Sequence, residues 1–238
     1  MAGILRSPRW WVGHLLAVLI VALFANLGFW QLRRLEERRI DNTVRQSRMA
    51  GEVYPIEELV ASAGTDLASL EYRVTTATGV FDSASAVLVR SQVFNGVAGF
   101  HLVTPLILAD GRAVLVNRGW VPFEFAPSAT PDPVEVRGWV RLSQTRTATG
   151  PADPEGTLTE VARVDIQRLA AQVPYELLAV YIVALGNSSE PPIPVERPDL
   201  NDEGPHLLYA IQWFAFAVIG LTGYGFLLRR AAARSRPA

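Results

Sequence analysis

The residues with the clearest chemical potential lie at the start of an apolar segment near the end of the chain. The sequence GPHLLYAIQW runs from Gly204 to Trp213 and places His206 just ahead of the apolar run. His206, Tyr209 and Trp213 follow the i, i+3, i+7 spacing of one helical face. The start of a helix disfavours a cationic imidazole, so His206 is expected in the neutral form that ligates metals.

A second polar and aromatic set lies at the far end of an apolar segment near the start of the chain. The sequence GFWQLRRLEER contains Trp30, Arg33 and Arg34, which share a helical face with Asn26. If the two segments form antiparallel helices, Trp30 lies at the same depth as His206. A neutral imidazole can ligate iron, aromatic rings can pack on a macrocycle and arginines can pair with its propionates, so this combination suits a haem.

The same residues also have simpler interpretations. Tryptophan and arginine are common where a membrane meets water, and a single interfacial histidine can bond to a lipid headgroup. A quinone would be bound by similar side chains. These residues by themselves therefore leave a haem, a quinone and a lipid headgroup open.

Two apolar segments are long enough to cross a bilayer. We predict spans at residues 10–32 and 204–228, the second with its apolar part from Leu207 to Leu228. The first span has the arginine flank of a signal peptide, but its apolar run is too long and ends in Trp-Gln-Leu-Arg-Arg, a stop-transfer pattern. Both segments are therefore expected to remain in the membrane.

The arginines beside the second span predict the orientation. The tail 229–238 contains four arginines and no acidic residue, whereas acidic residues precede the span, so the tail is expected in the cytoplasm. Two spans then place the tail 1–9 on the same side and the domain 33–203 outside. The arginines at 33, 34, 38 and 39 oppose this orientation and need another explanation.

The residues between the spans predict one α+β domain built mainly from antiparallel strands. Alternating apolar residues predict strands within 71–81, 85–94, 102–108, 113–116 and 133–142, and Asp110-Gly111 is typical of a two-residue hairpin turn. The sequence VDIQRLAAQVP predicts a helix that Asp165 caps and Pro174 ends. LLAVYIVAL is either a strand or a buried helix, and its Val, Ile and Tyr content favours a strand. A Pro-rich linker then leads back to the membrane.

Composition argues against several classes of function. The chain has 238 residues, no cysteine and three histidines, so disulfides, thiolate chemistry and a zinc site made mainly of histidine are not expected. A net charge of -1 gives no basic field for nucleic acid. Because no Ser-His-Asp pattern, phosphate loop or metal-spaced His/Glu set is present, we do not expect an enzyme. A membrane-tethered enzyme with paired carboxylates stays an open alternative.

Two motifs within the domain are expected to be structural. VLVNRGWVP predicts a strand that turns at Gly119, with Asn117 capping the turn and Trp120 in the core. Arg118 either pairs with a buried acid or faces a partner. His101, in GFHLVTPL, is expected to be a structural histidine with a hydrogen-bond partner.

Five stretches together resemble the Surfeit locus protein 1 family of cytochrome c oxidase assembly factors. They are GFWQLRRLEER, GFHLVTPL, VNRGWVP, VRG and HLLYAIQWFAFA, in this order and between two terminal spans. Arg38 stands where the family often has lysine, which preserves the charge. Within these stretches, six family-motif residues are expected to have structural roles: Gln31, Asn117, Arg118, Gly119, Trp120 and Gln212.

The resemblance implies a membrane-bound factor that binds haem a or delivers it to the catalytic subunit of cytochrome c oxidase. It carries the haem ligand over onto His206, with the surroundings expected from Tyr209, Trp213, Trp30, Arg33 and Arg34. Because haem a carries a long isoprenoid tail, a carrier at the bilayer surface avoids moving that tail through water. The alternative is an accessory subunit, retained in the oxidase or a respiratory supercomplex without binding haem. Nine residues before the first span are too few for a mitochondrial presequence, so we expect a bacterial plasma membrane.

Overall fold

The computed structural model describes residues 8–126, 133–146, 153 and 156–234. The chain divides into two compact units, of which one contains the residues up to Thr43 and from Leu200 onward, and the other contains Val44–Asp199. The first unit is a pair of helices and the second is built on a β-sheet. Residues 1–7 and 235–238 of the two predicted tails lie outside the described residues.

Both segments predicted to span a membrane are helical. Helix α1 comprises Pro8–Met49 and helix α4 comprises His206–Arg234. Each is long and apolar enough to cross a membrane, and almost none of its most apolar window is buried. This is the architecture of a two-pass membrane protein. The helices continue past the predicted span ends at 32 and 228, and those span limits remain predictions.

The two helices pack along one narrow stripe on each. The less exposed residues recur at intervals of three and four, as in other helix pairs with a narrow seam: Phe24, Gly28, Gln31 and Leu35 on α1, and Ala210, Trp213 and Ala217 on α4. Gly28 allows close approach, because a Cβ at this position would lie 2.7 Å from ring atoms of Phe214. The contact therefore includes small and polar residues, as is common for membrane helices, together with larger apolar ones.

The second unit is built on one sheet that closes on itself. Its strands are β1 Tyr54–Pro55, β2 Val74–Phe81, β3 Val87–Phe94, β4 Val97–Leu108, β5 Ala113–Val121, β6 Val134–Leu142, β7 Glu160–Val161 and β8 Leu177–Ala184. Their order is β1-β2-β6-β8-β5-β4-β3-β7, and the end of β4 also pairs with β2. Strands β2, β6, β8, β5 and β4 thus form a ring, which leaves no free edge among them.

Apolar side chains are buried on both faces of this ring. Along β5, Val114 and Val116 belong to a cluster that helix α2 (Ile56–Ala63) covers. Leu115 belongs to a second cluster, which helix α3 (Ile166–Ala170) covers. Because successive side chains of a strand point to opposite faces, one strand supplies both cores.

The predicted fold class is confirmed. Two terminal apolar helices flank a domain in which every strand predicted from the alternating pattern is present, including β8. Among the described strands, three pairings are parallel, namely β1–β2, β3–β7 and β5–β8, and the others are antiparallel. The sheet is therefore mainly antiparallel, as expected.

The prediction of a two-residue turn between β4 and β5 is wrong. The N–H of Leu108 donates to the carbonyl of Arg112, so the loop comprises residues 109–111. Gly111 has φ of 85° and supplies the left-handed residue that a three-residue loop requires. The Asp110 carboxylate accepts from the N–H of Arg112 at 3.0 Å and stabilises this longer loop.

The prediction for the helix after Asp165 is right at its start and wrong at its end. The Asp165 carboxylate accepts from the N–H of Arg168, as an N-cap does, but α3 ends at Ala170 rather than at Pro174. Helix α2 was not predicted. It begins directly after Pro55 and is only eight residues long; Glu57 and Glu58 lie in its first turn, but it has no side-chain cap.

Candidate functional site

His206 is the first residue of α4 and forms a hydrogen bond with α1. Its Nδ1 lies 2.8 Å from Oε1 of Gln31, which is buried in the seam with 9% of its surface exposed. An amide oxygen only accepts hydrogen bonds, so Nδ1 of His206 is the donor. This bond fixes the ring and leaves the lone pair of a neutral imidazole on Nε2, as in metal-ligating histidines.

The residues just before α4 position this histidine. Gly204 adopts φ of 69° and donates its N–H to the Asp202 carboxylate at 2.8 Å. The carbonyl of Pro205 then accepts the first helical hydrogen bond, from Tyr209. A Cβ on Gly204 would lie 3.6 Å from Nε2 of His206, so glycine keeps the space beside that nitrogen open.

A groove of about 510 Å³ opens beside His206. Two guanidinium and three carboxylate groups share its lining with the turn before α4: Arg34, Glu37, Arg38, Asp41, Asp202, Gly204, Pro205 and His206. Arg34 and Glu37 form an ion pair at 2.9 Å, but both side chains are more than half exposed. Such a surface pair is weak, so an anionic ligand can replace the glutamate.

Two further contacts hold the segment before α4 against α1. Arg39 donates two hydrogen bonds to the Glu203 carboxylate, at 2.8 and 2.9 Å, and Asn42 donates to the carbonyl of Asp202 at 3.0 Å. The hydrogen bonds from Arg39 lower the pKa of the Glu203 carboxyl group. This ion pair explains one member of the arginine cluster that the orientation rule left unexplained.

The remaining predicted site residues are not gathered around His206. Trp30 is 44% exposed and has the guanidinium of Arg34 5.9 Å from its ring centroid, while Arg33 is exposed. Tyr209 is 46% exposed. Trp213 faces the seam, where its ring packs against Phe24 and Phe216 at 5.6 and 5.9 Å. Among the described residues, Trp30 and Trp213 do not form a ring pair, so the structure has no preformed slot between them. Gln212 is exposed on α4.

The other end of the helix pair contains a second polar contact. Nδ1 of His14 lies 2.6 Å from the hydroxyl of Tyr224, and Nε2 of His14 is buried without a hydrogen-bond partner among the described residues. The ring of Trp10 lies 6.5 Å from the His14 ring. His14 therefore lies at the opposite end of the helix pair from His206 and does not reach the groove.

His101 in the β domain has the opposite hydrogen-bond pattern to His206. The amide nitrogen of Asn117 donates to Nδ1 of His101 at 3.2 Å, because the amide oxygen of Asn117 is occupied by the N–H of Gly119. Nε2 of His101 then carries the proton and offers no lone pair. Burial lowers the pKa of His101 from its ordinary value of 6.5 to about 4. His101 is thus a neutral structural histidine, whereas the hydrogen bond of His206 engages Nδ1 rather than Nε2.

The motif around β5 is held by close backbone contacts. Gly119 has φ of 122°, and a Cβ there would collide with the carbonyl of Ile193. Trp120 is 8% exposed and packs against Phe94 at 5.6 Å. Arg118 lies over the ring of Phe81 at 4.4 Å, and burial lowers its pKa.

This geometry supports one kind of coordination chemistry. No group of three or more His, Cys, Asp or Glu residues in the described part of the chain could hold a bare metal ion. A single histidine beside a groove with arginines instead suits a metal that brings its other ligands with it, as a haem does.

Two apolar helices with a polar seam and one closed β domain define a two-pass membrane protein with a substantial extramembrane part. The chain belongs to the SURF1 family, whose model matches residues 18–218. The match includes most of α1, all of the β domain and the first part of α4, up to residue 218.

Individual relatives are similar to this chain over most of their own length. The chain is 25% identical over 225 residues to an uncharacterized SURF1-like protein of Mycobacterium tuberculosis, with 90% of this chain and 83% of that protein covered. It is 29% identical over 240 residues to a SURF1-like protein of Monosiga brevicollis, with 93% and 88% covered. It is 27% identical over 226 residues to Surfeit locus protein 1 of Xenopus tropicalis, with 84% and 70% covered.

Several residues of the site are not predicted from the sequence in their observed roles. Gln31 is predicted as a structural family-motif residue, but not as the partner of His206. Arg38 and Asp41 line the groove, whereas Arg33, which was expected there, does not. The pairing of Gln31 with His206 could have been predicted by counting residues from the outer end of each helix, because antiparallel helices bring residues of equal depth together.

Proposed function

We propose that this protein is a non-enzymatic, membrane-bound assembly factor for cytochrome c oxidase that holds haem a through His206. The observation that carries the proposal is the hydrogen bond between His206 and Gln31, which leaves Nε2 as a ligating atom beside an open groove. Membership in the SURF1 family supports this class of function. When bound, haem a would supply an iron that accepts the Nε2 lone pair.

The groove contains cations suited to the haem propionates. Arg34 and Arg38 both line it, and the partner of Arg34 is an exposed glutamate that a propionate can replace. Glu37, Asp41 and Asp202 line the same groove and repel propionates. We therefore expect the propionates to pair with Arg34 and Arg38, and the isoprenoid tail to lie along the exposed apolar surface of the helices.

The proposed membrane is a bacterial plasma membrane, with both termini in the cytoplasm and the β domain outside. Because the chain has no cysteine, single cysteines can report this orientation. In intact spheroplasts, a membrane-impermeant maleimide should label Glu190→Cys and should not label Ala233→Cys. The reverse pattern would contradict the orientation.

The haem proposal is tested by the absorption spectrum of protein purified from cells that make haem a. We expect a Soret band in the wild-type protein that is absent in His206→Ala and also absent when haem a synthesis is removed. His14→Ala should keep the band, because His14 lies at the other end of the helix pair. A His206→Ala protein that keeps an unchanged spectrum would overturn the proposal.

The role of Gln31 gives a sharper test. Gln31→Leu removes the acceptor for Nδ1, and loss of such a partner typically lowers metal affinity about 10–100-fold. Gln212→Leu is the matched control, because Gln212 is also a family-motif glutamine but is exposed on α4. Equal haem affinities of the two variants would contradict the proposed role of Gln31.

The partner is tested by affinity purification. An assembly factor should associate with the catalytic subunit of the oxidase before its haem is in place, and in less than equimolar amounts with the finished enzyme. Equimolar recovery with mature oxidase, together with the absence of a haem spectrum, would indicate the retained accessory subunit instead.

A further inference from the structure

The hairpin between β3 and β4 has an unusually apolar tip. Asn95 and Gly96 join the strands in a two-residue turn with φ of 47° and 79°, a turn that suits the twist of paired strands. The ten residues 91–100, SQVFNGVAGF, contain no charged residue. Protein loops exposed to water normally carry polar or charged residues at such a position.

The tip exposes apolar side chains on both of its faces. Val93 is 66% exposed and Val97 is 56% exposed. The register pairs Val93 with Ala98 and Phe94 with Val97, so Val93 and Val97 point to opposite faces. A docking strand usually presents one apolar face to its partner and keeps the other in water. A tip that is apolar on both faces is instead suited to surroundings that are apolar on all sides.

Aromatic residues extend the patch and anchor it to the domain. Phe123 is 57% exposed, and its ring packs edge-on against Phe100 at 5.1 Å. On the other face, Phe94 packs against the buried Trp120. The exposed side chains therefore sit on a rigid base, and their exposure does not require any part of the core to open.

Arginines lie next to this tip. A groove of about 630 Å³ runs from Phe94 past Arg137 and Arg197, with Asn187 and Ser188 also in its lining. Within the described residues, neither arginine forms an ion pair, although Glu196 shares the lining. Apolar side chains beside free arginines are typical of proteins that insert shallowly into a bilayer and bind its phosphates.

We propose that this tip, comprising Val93–Val97 and Phe123, inserts into the surface of the lipid bilayer, with Arg137 and Arg197 at the phosphates. The bilayer is the favoured partner because the chain enters a membrane-spanning helix on each side of the β domain. This tether gives the domain a high effective concentration at the lipid surface. A few apolar side chains, buried about 5–10 Å deep, are then sufficient for binding.

The absence of cysteine allows a direct depth measurement on the full-length protein in lipid vesicles. A polarity-sensitive fluorophore is attached at Val93→Cys, and quenchers are placed on the lipid acyl chains near the headgroups. The matched control is Ala109→Cys, which is exposed in the loop at the opposite end of β4. Because β4 has 12 residues, the two labels are separated by roughly 40 Å along the strand.

We expect the Val93 label to be blue-shifted and quenched by at least about twofold, and the Ala109 label to be unaffected. Adding Val97→Asp, an exposed and therefore well tolerated change, should abolish the quenching. Changing Arg137 and Arg197 to glutamine should weaken the quenching in vesicles with anionic lipid, while circular dichroism confirms that each variant is folded.

Equal quenching of the two labels, or none at Val93, would overturn the proposal. If the Val93 label becomes protected only when the oxidase is added, the patch docks on protein instead and the lipid assignment is wrong.

Discussion

The two units of this protein pack through different kinds of contact. The packed seam of the helix pair contains polar contacts, namely His206 with Gln31 and Tyr224 with His14, while residues such as Leu208 are 68% exposed. The β domain buries apolar residues instead, and Ile182 is fully inaccessible. The helix pair thus exposes large apolar residues and buries hydrogen-bonded polar ones, which is the reverse of an ordinary soluble fold.

This difference follows from the solvent that each unit faces. In lipid, an apolar surface costs nothing to expose, so helices associate through small residues, hydrogen bonds and close packing. In water, burial of apolar surface supplies most of the stability. The same substitution should therefore have different effects in the two units, and the following predictions test that difference.

The largest effect is expected from Trp120→Ala. Loss of a buried tryptophan typically costs about 3–5 kcal/mol, and Trp120 is 8% exposed. Its Nε1 has no hydrogen-bond partner among the described residues, so the loss should reflect packing alone. Protein abundance and the melting temperature of the β domain should both fall. Trp30→Ala, in the helix pair, is the control and should change neither, because Trp30 is 44% exposed. Normal stability with lost oxidase assembly would show that Trp120 has a functional role.

The next effect is a pH dependence confined to the β domain. Burial lowers the pKa of His101 to about 4 in the folded protein, against an ordinary value of 6.5. His101 therefore binds a proton in the unfolded chain first as the pH falls. Its contribution to the free energy of unfolding is constant above about pH 6.5 and declines between pH 6.5 and pH 4. The decline should amount to roughly 2–3 kcal/mol, after some screening by solvent. Chemical denaturation at several pH values should show a steeper loss in the wild type than in His101→Gln. Identical slopes would contradict this prediction.

A somewhat smaller loss is expected from Gly119→Ala. Gly119 has φ of 122° and no room for a Cβ beside the Ile193 carbonyl, and such strain costs about 1–3 kcal/mol. Gly111→Ala is the matched control. It also has positive φ, at 85°, but nothing lies within 4 Å of an added Cβ. Thermal unfolding should therefore show a larger loss at 119 than at 111, and equal losses would argue against the Ile193 contact.

The smallest effect is expected in the helix pair. Tyr224→Phe removes the hydrogen bond to His14, and such bonds between membrane helices contribute about 0.6 kcal/mol on average. A double-mutant cycle with His14→Ala, measured by unfolding in detergent mixtures, should give a coupling energy of this size. A coupling of several kcal/mol would mean that the contact is more than an ordinary membrane hydrogen bond.

The parts of the fold that follow from local patterns could be predicted. The strands β2, β3, β6 and β8 show alternation or β-branched residues, and Asp165 caps its helix as expected. The parallel pairing of β8 with β5 has no local signal, because it joins residues more than 60 positions apart, such as Ala113 and Leu177. Helix α2 was missed because it is short and uncapped.

The sequence indicates which residues belong to the candidate site better than it indicates which face of each helix makes the contact. The sequence predicts that His206 lies level with the end of the first apolar segment, and the hydrogen bond between His206 and Gln31 brings these two positions together. Arg34 lines the groove beside His206, whereas Trp30 is 44% exposed and Gly28 and Gln31 lie in the seam of α1. Small and polar residues often lie on the contact face of a membrane helix, whereas tryptophan is also common where the membrane meets water, so an aromatic residue alone does not identify that face.

The closed ring of strands also determines when this protein can fold during its synthesis. Strand β8 lies between β5 and β6, yet it is made after both of them. From the end of β6 at Leu142 to the end of β8 at Ala184, a ribosome working at about 5–20 residues per second needs several seconds. During that interval β5 and β6 each have an unpaired edge, which is open to aggregation or to capture by a chaperone. A chain interrupted before Ala184 should therefore lose the whole ring rather than give a shorter version of the domain.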